Sequence, residues 1–207
     1  MVRKTETGDK YYKIVYWGCF ASGKTTAVDT LFKILQEKTD SKVLPVGELT
    51  KIATPSGATN YFDRGILKSV NQEQQFYHLY TVAGQKRFLP LRSKVFFGAD
   101  AVVLVVDGQR DKLSANEGSM EELNDIAELP LVEKIPLIVM INKQDLDEIV
   151  SKEEIIGLLK KYNLYFPDNH PNAEKNPEIF ETIALYEKKQ NIYESFVEII
   201  ESFEGIR

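Results

Sequence analysis

The chain has 207 residues, of which 43% are hydrophobic, and this is enough to form the core of one compact domain. Its formal net charge of −5 offers no general attraction to nucleic acid or anionic lipid, so no nucleic-acid partner is expected. The single cysteine rules out an internal disulfide and fits a reducing cytoplasm.

Strand-like apolar runs alternate with segments of helical periodicity, and this alternation predicts a parallel sheet with helices on both faces. Strands are predicted near 12–17, 42–46, 75–82, 101–107, 137–142 and 179–184. Helices are predicted near 24–37, 88–97, 117–128, 151–162 and 187–203, the fourth of them opening on a capping box at Ser151–Glu154. Residues 47–70 and 163–178 carry no clear pattern and are left unassigned.

A glycine-rich run, Gly18–Thr25, lies between the first predicted strand and the first predicted helix and fits G-x-x-x-x-G-K-[ST]. Glycines let the backbone approach an anion, and loop N–H groups then surround the phosphates at the positive end of the helix. Lys24 would reach the β- and γ-phosphates, and the Thr25 hydroxyl would bind Mg²⁺. The alternative is a glycine turn that only joins a strand to a helix. The predicted nucleotide-binding residues here are Gly18, Ala21, Ser22, Gly23, Lys24, Thr25 and Thr26.

A second motif, Asn142-Lys143-Gln144-Asp145, follows the fifth predicted strand. Ligands of open α/β sheets bind at the carboxyl ends of the strands, so this motif and the glycine-rich run share one rim. The Asp145 carboxylate can accept two hydrogen bonds from guanine, which adenine cannot supply, while Asn142 and Lys143 would brace the loops and cover the base. Taken alone, the motif could be a polar turn with a helix cap at Asp145.

With these motifs the chain resembles the small GTPases of the Ras superfamily, in particular the MglA-like GTPases of bacteria and archaea, which are related to the Arf group. The resemblance is carried by residues 13–18 with the loop, by 59–63 and by 78–85, and it spans about 12–203. It implies an α/β, three-layer P-loop NTPase fold (a Ras-like G domain), with a six-stranded, mostly parallel sheet flanked by about five helices.

The resemblance also implies roles for residues outside the two motifs. Thr59 resembles the switch I threonine that binds Mg²⁺ and the γ-phosphate, and Gly84 the switch II glycine whose N–H meets the γ-phosphate. Gln85 resembles the residue that orients the attacking water, so the implied catalytic residues are Gln85, Lys24 and Thr59. A backbone N–H near Ala184 would meet the base oxygen. Thr59 could instead be an ordinary loop threonine, and Gln85 a surface residue at a helix start.

The sequence departs from the common pattern near the metal. Thr81 stands where most small GTPases have an aspartate that holds a Mg²⁺-bound water, although MglA-like proteins also have threonine there. Asp107 is a candidate replacement, but the family fold places its strand on the other side of the loop strand, so a loop-capping role is expected. The missing carboxylate should weaken or reposition the metal.

Two further departures concern hydrolysis. Phe20 occupies a loop position that is often glycine, and Ala58 stands where the subfamily commonly has an arginine before the switch I threonine. Arg64 and Arg87 lie nearby in sequence, and each is interpreted as a surface charge. Slow intrinsic hydrolysis that is stimulated by a partner is therefore expected.

The ends of the chain suggest no direct membrane anchor. No apolar run is long enough for a spanning helix, and the first residues lack a signal-peptide core. Valine follows the initial methionine where myristoylation needs glycine, and no cysteine near the end would accept a prenyl group. The sequence predicts a cytoplasmic protein with a flexible segment at 1–11 and a single GTPase domain at 12–207.

Together these patterns predict a GTP/GDP switch that binds guanine nucleotide with Mg²⁺ and hydrolyses GTP slowly. The resemblance suggests effectors and a roadblock-type (MglB-like) activating protein as partners. Two alternatives remain: a guanine-nucleotide-binding module without hydrolysis, and an ATP-using P-loop kinase, against which Asp145 argues.

Overall fold

The computed structural model describes residues 8–53, 59–84, 88–127 and 130–204, with the backbone alone at 51–53, 59–63 and 204, and also the backbone at 3–4. The described residues form nine strands: β1 Arg3–Lys4, β2 Lys10–Trp17, β3 Val43–Pro45, β4 Thr50–Ala53, β5 Thr59–Ser69, β6 Gln75–Thr81, β7 Ala101–Asp107, β8 Leu137–Asn142 and β9 Glu178–Thr182. They also form six α-helices: α1 Lys24–Glu37, α2 Leu89–Phe96, α3 Leu113–Ala127, α4 Leu131–Lys134, α5 Lys152–Lys161 and α6 Ile192–Glu204.

The strands form one mixed sheet in the order β3-β5-β6-β2-β7-β8-β9. The five strands from β6 to β9 pair in parallel, whereas β5 pairs antiparallel with β6 and β3 antiparallel with β5. Every residue of β7 and β8 is buried, as expected for central parallel strands covered on both faces. The predicted α/β class with helices on both faces is confirmed.

The predicted count of six strands was too low. Strands β4 and β5 lie in the unassigned region 47–70, and β1 adds a short antiparallel pairing to β2. Strand β5 escaped prediction because only one of its faces is covered, so buried Gly65 and Leu67 alternate with exposed Arg64 and Lys68. Glycine suits the interior of β5 because an added Cβ at Gly65 would meet the Phe32 ring at 2.5 Å.

The last predicted helix began too early. Residues 186–188 form a single 3-10 turn, and α6 starts only at Ile192. Gln190 forms an isolated antiparallel bridge with Ile183, and Asn191 has a positive φ of 53°, so the backbone cannot be helical there. The helix predicted at 117–128 corresponds to α3, which begins four residues earlier, at Leu113. The short helix α4 was not predicted.

Two hydrophobic clusters hold the layers together. On one face of the sheet α1 and α6 pack over β2 and β6, with Ile14, Leu31 and Phe196 fully buried. On the other face Trp17, Leu123 and Leu159 belong to a cluster built from β2, β7, β8 and the helices α3 and α5. In the described ranges no helix is long and apolar enough to cross a membrane.

This topology positions the site. Because β2, β7, β8 and β9 run in parallel, the segments that follow their carboxyl ends emerge on one rim. The glycine-rich run, the turn after Asp107, the 142–145 motif and residues 182–184 therefore lie side by side.

The capping box predicted for α5 is present and gives a test of local stability. Ser151 Oγ accepts from the Glu154 N–H, and the Glu154 carboxylate accepts from the Ser151 N–H, both at 3.2 Å. We expect Ser151→Ala to lower the free energy of unfolding by about 1 kcal/mol, because an N–H of the first helical turn loses its acceptor. Urea denaturation followed by circular dichroism measures this change.

The matched control is Ser202→Ala, since the Ser202 hydroxyl donates to Ile199 O within α6 and caps no helix N-terminus. A loss of stability of the same size in both variants would contradict the capping interpretation.

Candidate functional site

The run Gly18–Thr25 forms a tight loop that requires glycine at two positions. Gly18 has φ 149° and Gly23 has φ 100°, in the region that glycine favours. A Cβ at Gly18 would overlap the Val105 carbonyl, and one at Gly23 would overlap the Asn142 side-chain amide. The loop is therefore pressed against β7 and against the end of β8.

Lys24, the first residue of α1, is buried within this loop. Its ammonium donates to the carbonyls of Gly18 at 3.0 Å and Cys19 at 2.6 Å, and to Ser22 Oγ at 3.4 Å. The pKa of Lys24 is lowered to about 8, chiefly by burial, and the nearby Arg92 charge contributes to the lowering. A buried cation surrounded by neutral acceptors favours an anion beside it, because opposite charges attract strongly in such a site.

The Asn142 side chain connects three segments of the rim. Its amide nitrogen donates to Ser22 O at 2.8 Å, which ties the end of β8 to the phosphate loop. Its amide oxygen accepts from the Ala184 N–H at 2.9 Å and from Thr182 Oγ1 at 3.4 Å. The brace predicted for Asn142 is thus present, and the Ala184 N–H expected to meet the base donates to this brace.

Lys143 is held by the turn that follows β7. It has a positive φ of 72°, and its ammonium donates to Asp107 Oδ2 at 2.6 Å and to Gln109 Oε1 at 3.0 Å. Asp107 is completely buried, and its other carboxylate oxygen accepts from the Gln109 N–H. Asp107 ends β7 and Thr81 ends β6, and these two strands flank β2 on opposite sides. Asp107 therefore caps the turn after its own strand, which is the role expected from the sequence.

A cavity of about 220 Å³ opens beside these residues. Asp145 lines it, and the side chain of Asp145 is only 10% exposed. Lys188 reaches one of the carboxylate oxygens at 3.3 Å. Ala21, Gly23, Thr26, Asn142, Lys143, Leu146, Ala184 and Leu185 complete the lining. The cavity joins the phosphate loop to the predicted base-contacting residues, and its apolar walls suit a flat ring.

The opposite end of the loop faces Gly84. A Cβ at Gly84 would overlap the backbone of Cys19 and Phe20, so the segment after β6 lies directly on the phosphate loop. Thr81 ends β6 and is 1% exposed, whereas Phe20 is 58% exposed.

Of the remaining predicted residues, some lie within the described part of the chain and others lie outside it. Thr25 is in the first turn of α1 beside Lys24, and Thr59 starts β5 but has no described side chain. Gln85, Ala58 and Arg87 lie outside the described residues. Arg64 is exposed on the open face of the sheet, where it contacts His78 Nδ1 and lies over the Tyr80 ring.

Sequence reasoning missed a buried arginine. Arg92 of α2 is 2% exposed and forms an ion pair with Glu122 of α3 at 2.6 Å. Its guanidinium lies 4.1 Å from the centre of the Trp17 ring, and Nη1 donates to Gly84 O at 3.4 Å. No periodicity in the sequence distinguishes Arg92 from a surface arginine, because its partners belong to other elements.

Asn116 of α3 was also missed. Its side chain accepts from the Asp107 N–H and donates to the Asp107 carbonyl, at 3.0 and 2.8 Å. It also accepts from the Cys19 thiol at 3.3 Å. Burial raises the pKa of Cys19, which favours the protonated, unreactive thiol.

The fold and the loop define the class of protein: a P-loop nucleotide-binding protein with a Ras-like sheet. A model of the ADP-ribosylation factor (Arf) family matches residues 1–203. The chain therefore belongs to the Arf family and is an Arf-related small GTPase of the Ras superfamily.

Individual relatives agree with this assignment. The chain is 32% identical over 181 residues to the mutual gliding-motility protein MglA of Myxococcus xanthus, which covers 85% of this chain and 88% of MglA. It is 33% identical over 82 residues to ADP-ribosylation factor-like protein 8c of Arabidopsis thaliana, covering 39% and 43% of the two chains. Its fold is similar to that of the Arl6 small GTPase of Trypanosoma brucei, solved with the nucleotide analogue GppNp: the TM-score is 0.60 at 17% identity, over 93% of this chain and 96% of that one.

The lowered pKa of Lys24 predicts how the stability of the nucleotide-free protein depends on pH. The folded-state pKa is about 8 and the reference value is 10.5, so between these values the unfolded chain binds more protons. This residue should therefore make the free energy of unfolding rise with pH across that window. Urea denaturation at several pH values should show the rise in the wild type and lose it in Lys24→Met.

Lys33→Met provides the control, because Lys33 lies on the exposed side of the same helix. If Lys33→Met removed the rise as completely as Lys24→Met, the burial interpretation would be wrong.

Proposed function

We propose that this protein is a GTP/GDP switch that binds guanine nucleotide with Mg²⁺ and hydrolyses GTP slowly. The observation that carries the proposal is the Asn142 bridge, which joins the loop around Lys24 to the cavity at Asp145. Phosphates in the loop would be neutralised by Lys24 and by backbone N–H groups at the start of α1. The base would then enter the cavity with its edge against Asp145.

Thr25 lies beside Lys24 in the first turn of α1, where a phosphate-bound magnesium ion would need oxygen ligands. The Thr25 and Thr59 hydroxyls would hold it, and oxygen ligands together with phosphates and waters are what Mg²⁺ prefers. When bound, the ion neutralises charge on the phosphates. Thr81 has a hydroxyl where most small GTPases have a carboxylate that would hold a water bound to the metal. Because a neutral hydroxyl attracts that water less strongly than a carboxylate, weaker metal binding is expected.

Hydrolysis would depend on residues that surround the γ-phosphate. The Gly84 N–H would contact the γ-phosphate, Lys24 would stabilise charge that develops on it, and Gln85 would orient the attacking water. Loss of the γ-phosphate would release the segments around 47–70 and 84–97 and change the surface offered to partners. Relationship to MglA suggests a roadblock-type activating protein and effectors among those partners.

The guanine preference is tested at Asp145. We expect Asp145→Asn to weaken GDP binding by about a hundredfold, because the acceptor loses its charge and the asparagine NH₂ group cannot accept from the exocyclic amine of guanine. The same change should strengthen xanthosine diphosphate binding, since an amide can donate to the second carbonyl of xanthine. Competition against a fluorescent nucleotide measures both affinities.

Lys188→Met is the matched control, because it removes the ion-pair partner of Asp145 and leaves the carboxylate in place. It should keep the preference for guanine. An unchanged base preference in Asp145→Asn would contradict guanine selection and would favour the kinase alternative.

The enzymatic part is tested at Gln85. Single-turnover GTP hydrolysis should fall by about tenfold in Gln85→Leu, because the attacking water loses its orienting group. Gln72→Leu, at an exposed glutamine in the turn before β6, should hydrolyse GTP at the wild-type rate.

A second candidate function is a guanine-nucleotide-binding module without hydrolysis. The exposed phenyl ring of Phe20 favours it, because the ring stands at the phosphate loop where it can obstruct a catalytic group from a partner. If the wild type and Gln85→Leu both hydrolysed GTP at the uncatalysed rate, this second function would replace the first.

A further inference from the structure

Asn116 lies in the first turn of α3 and is 2% exposed, so its polar side chain is removed from water. Its Oδ1 atom accepts two hydrogen bonds, one from the Asp107 N–H at 3.0 Å and one from the Cys19 thiol at 3.3 Å. Its Nδ2 atom donates to the Asp107 carbonyl at 2.8 Å. One side chain therefore contacts the phosphate loop, through Cys19, and the turn that follows β7, through both backbone groups of Asp107.

The turn that follows β7 is attached to the end of β8. Gly108 in this turn donates its N–H to the Asn142 carbonyl at 2.8 Å, and a Cβ added to Gly108 would lie 2.6 Å from the same oxygen. Its two neighbours in the chain, Asp107 and Gln109, bind the Lys143 ammonium with their side-chain oxygens. A displacement of this turn would therefore move the backbone of Asn142 and the side chain of Lys143 with it.

The Lys143 ammonium is held away from the cavity at Asp145. Lys143 lines this cavity, whereas Asp107 and Gln109 are not among its lining residues in the described part of the chain. The ammonium is therefore bound outside the cavity, and the alkyl chain of Lys143 is left to face it. Asp107 is completely buried, so its carboxylate needs a cation nearby, and Lys143 supplies that cation.

The contacts of Asn116 require an amide side chain. Asn116 pairs with both the N–H and the carbonyl of Asp107, so it has to accept and to donate at the same time. An ionised carboxylate has no hydrogen to donate, and an apolar side chain offers neither group. An amide oxygen can also accept two hydrogen bonds, and the second one comes from the Cys19 thiol.

We propose that Asn116 is a positioning residue for nucleotide binding, a role that rests on the proposed function. From α3 it holds the phosphate loop at Cys19 and, through the turn after β7, the Lys143 side chain that would cover the base. The Asn142 side chain links the same two regions separately, through Ser22. Without Asn116 the phosphate loop could shift relative to the cavity at Asp145, and a bound nucleotide would have to bear the cost of ordering it.

Asn176 provides a matched control for Asn116. Its Oδ1 atom accepts from the Phe166 N–H at 2.6 Å, and its Nδ2 atom donates to the Phe166 carbonyl at 3.1 Å, so it also pairs with both backbone groups of one residue. It precedes β9 by two residues and therefore lies at the amino ends of the parallel strands, opposite to the rim. Asn116→Ala and Asn176→Ala remove the same kind of bond pair, but only the first touches the site.

Both variants are compared with the wild type by titration with a fluorescent GDP analogue and by urea denaturation of the nucleotide-free proteins. We expect Asn116→Ala to bind the analogue at least about tenfold more weakly than the wild type, and Asn176→Ala to bind it within about twofold of the wild type. The urea midpoints of the two variants should fall by similar amounts, because each loses two hydrogen bonds to the backbone. Asn116→Leu leaves a smaller cavity than alanine and should show the same weak binding.

A second measurement needs no nucleotide. Cys19 is the only cysteine of the chain and is 4% exposed, so its reaction with N-ethylmaleimide reports how often the phosphate loop opens. We expect Cys19 in nucleotide-free Asn116→Ala to react at least about fivefold faster than in Asn176→Ala, because the thiol has lost its acceptor. Mass spectrometry of the native proteins follows the reaction.

Equal GDP binding by Asn116→Ala and Asn176→Ala would overturn the proposal, and so would equal rates of thiol modification. If the wild type binds the analogue and only the difference between the two variants is missing, the nucleotide function stands and the positioning role of Asn116 fails. If the wild type does not bind the analogue, the proposed nucleotide function fails, and the positioning role fails with it.

Discussion

The site depends on one amide side chain that joins loops from distant parts of the chain. Asn142 donates to Ser22 in the phosphate loop and accepts from Ala184 in the last loop of the rim. Because Gly23 has no side chain, the Asn142 amide can lie directly against the loop. The phosphate loop and the cavity at Asp145 are therefore held at a fixed spacing by hydrogen bonds that are shielded from water. A nucleotide needs its two ends recognised at such a fixed spacing.

A second interaction connects the loop to the end of β6 and to the helices α2 and α3. Arg92 lies over Trp17 of β2, pairs with Glu122 of α3 and donates to the carbonyl of Gly84. Its charge is buried, and the Glu122 carboxylate offsets much of the desolvation cost. The same guanidinium helps to depress the pKa of Lys24, so the helix α2 and the phosphate loop are linked electrostatically as well as by contact.

The motifs that could be predicted are those whose geometry is encoded within a few residues. Gly18 and Gly23 need backbone angles that glycine favours, and Ser151 caps the helix that follows it, so both features are visible in short stretches. Strand β5 was missed because one of its faces is open and carries charge, which removes the apolar run that marks a buried strand. The start of α6 was misplaced because the pairing of Gln190 with Ile183 belongs to a turn that helical periodicity does not reveal.

The sequence by itself determined the phosphate loop, the 142–145 motif, the positions of the main strands along the chain and the family resemblance, because local backbone preference and short-range periodicity carry that information. Only the tertiary structure decided which residues meet. Asn142 and Ser22 are 120 positions apart, Lys143 and Asp107 are 36 apart, and Trp17 and Ser119 are 102 apart. Their contacts exist because parallel strands bring their carboxyl ends to one rim and because α2 and α3 pack on the same face of the sheet. The buried arginine, its ion pair with Glu122 and the cavity beside it follow from that packing, and no short stretch of sequence encodes them.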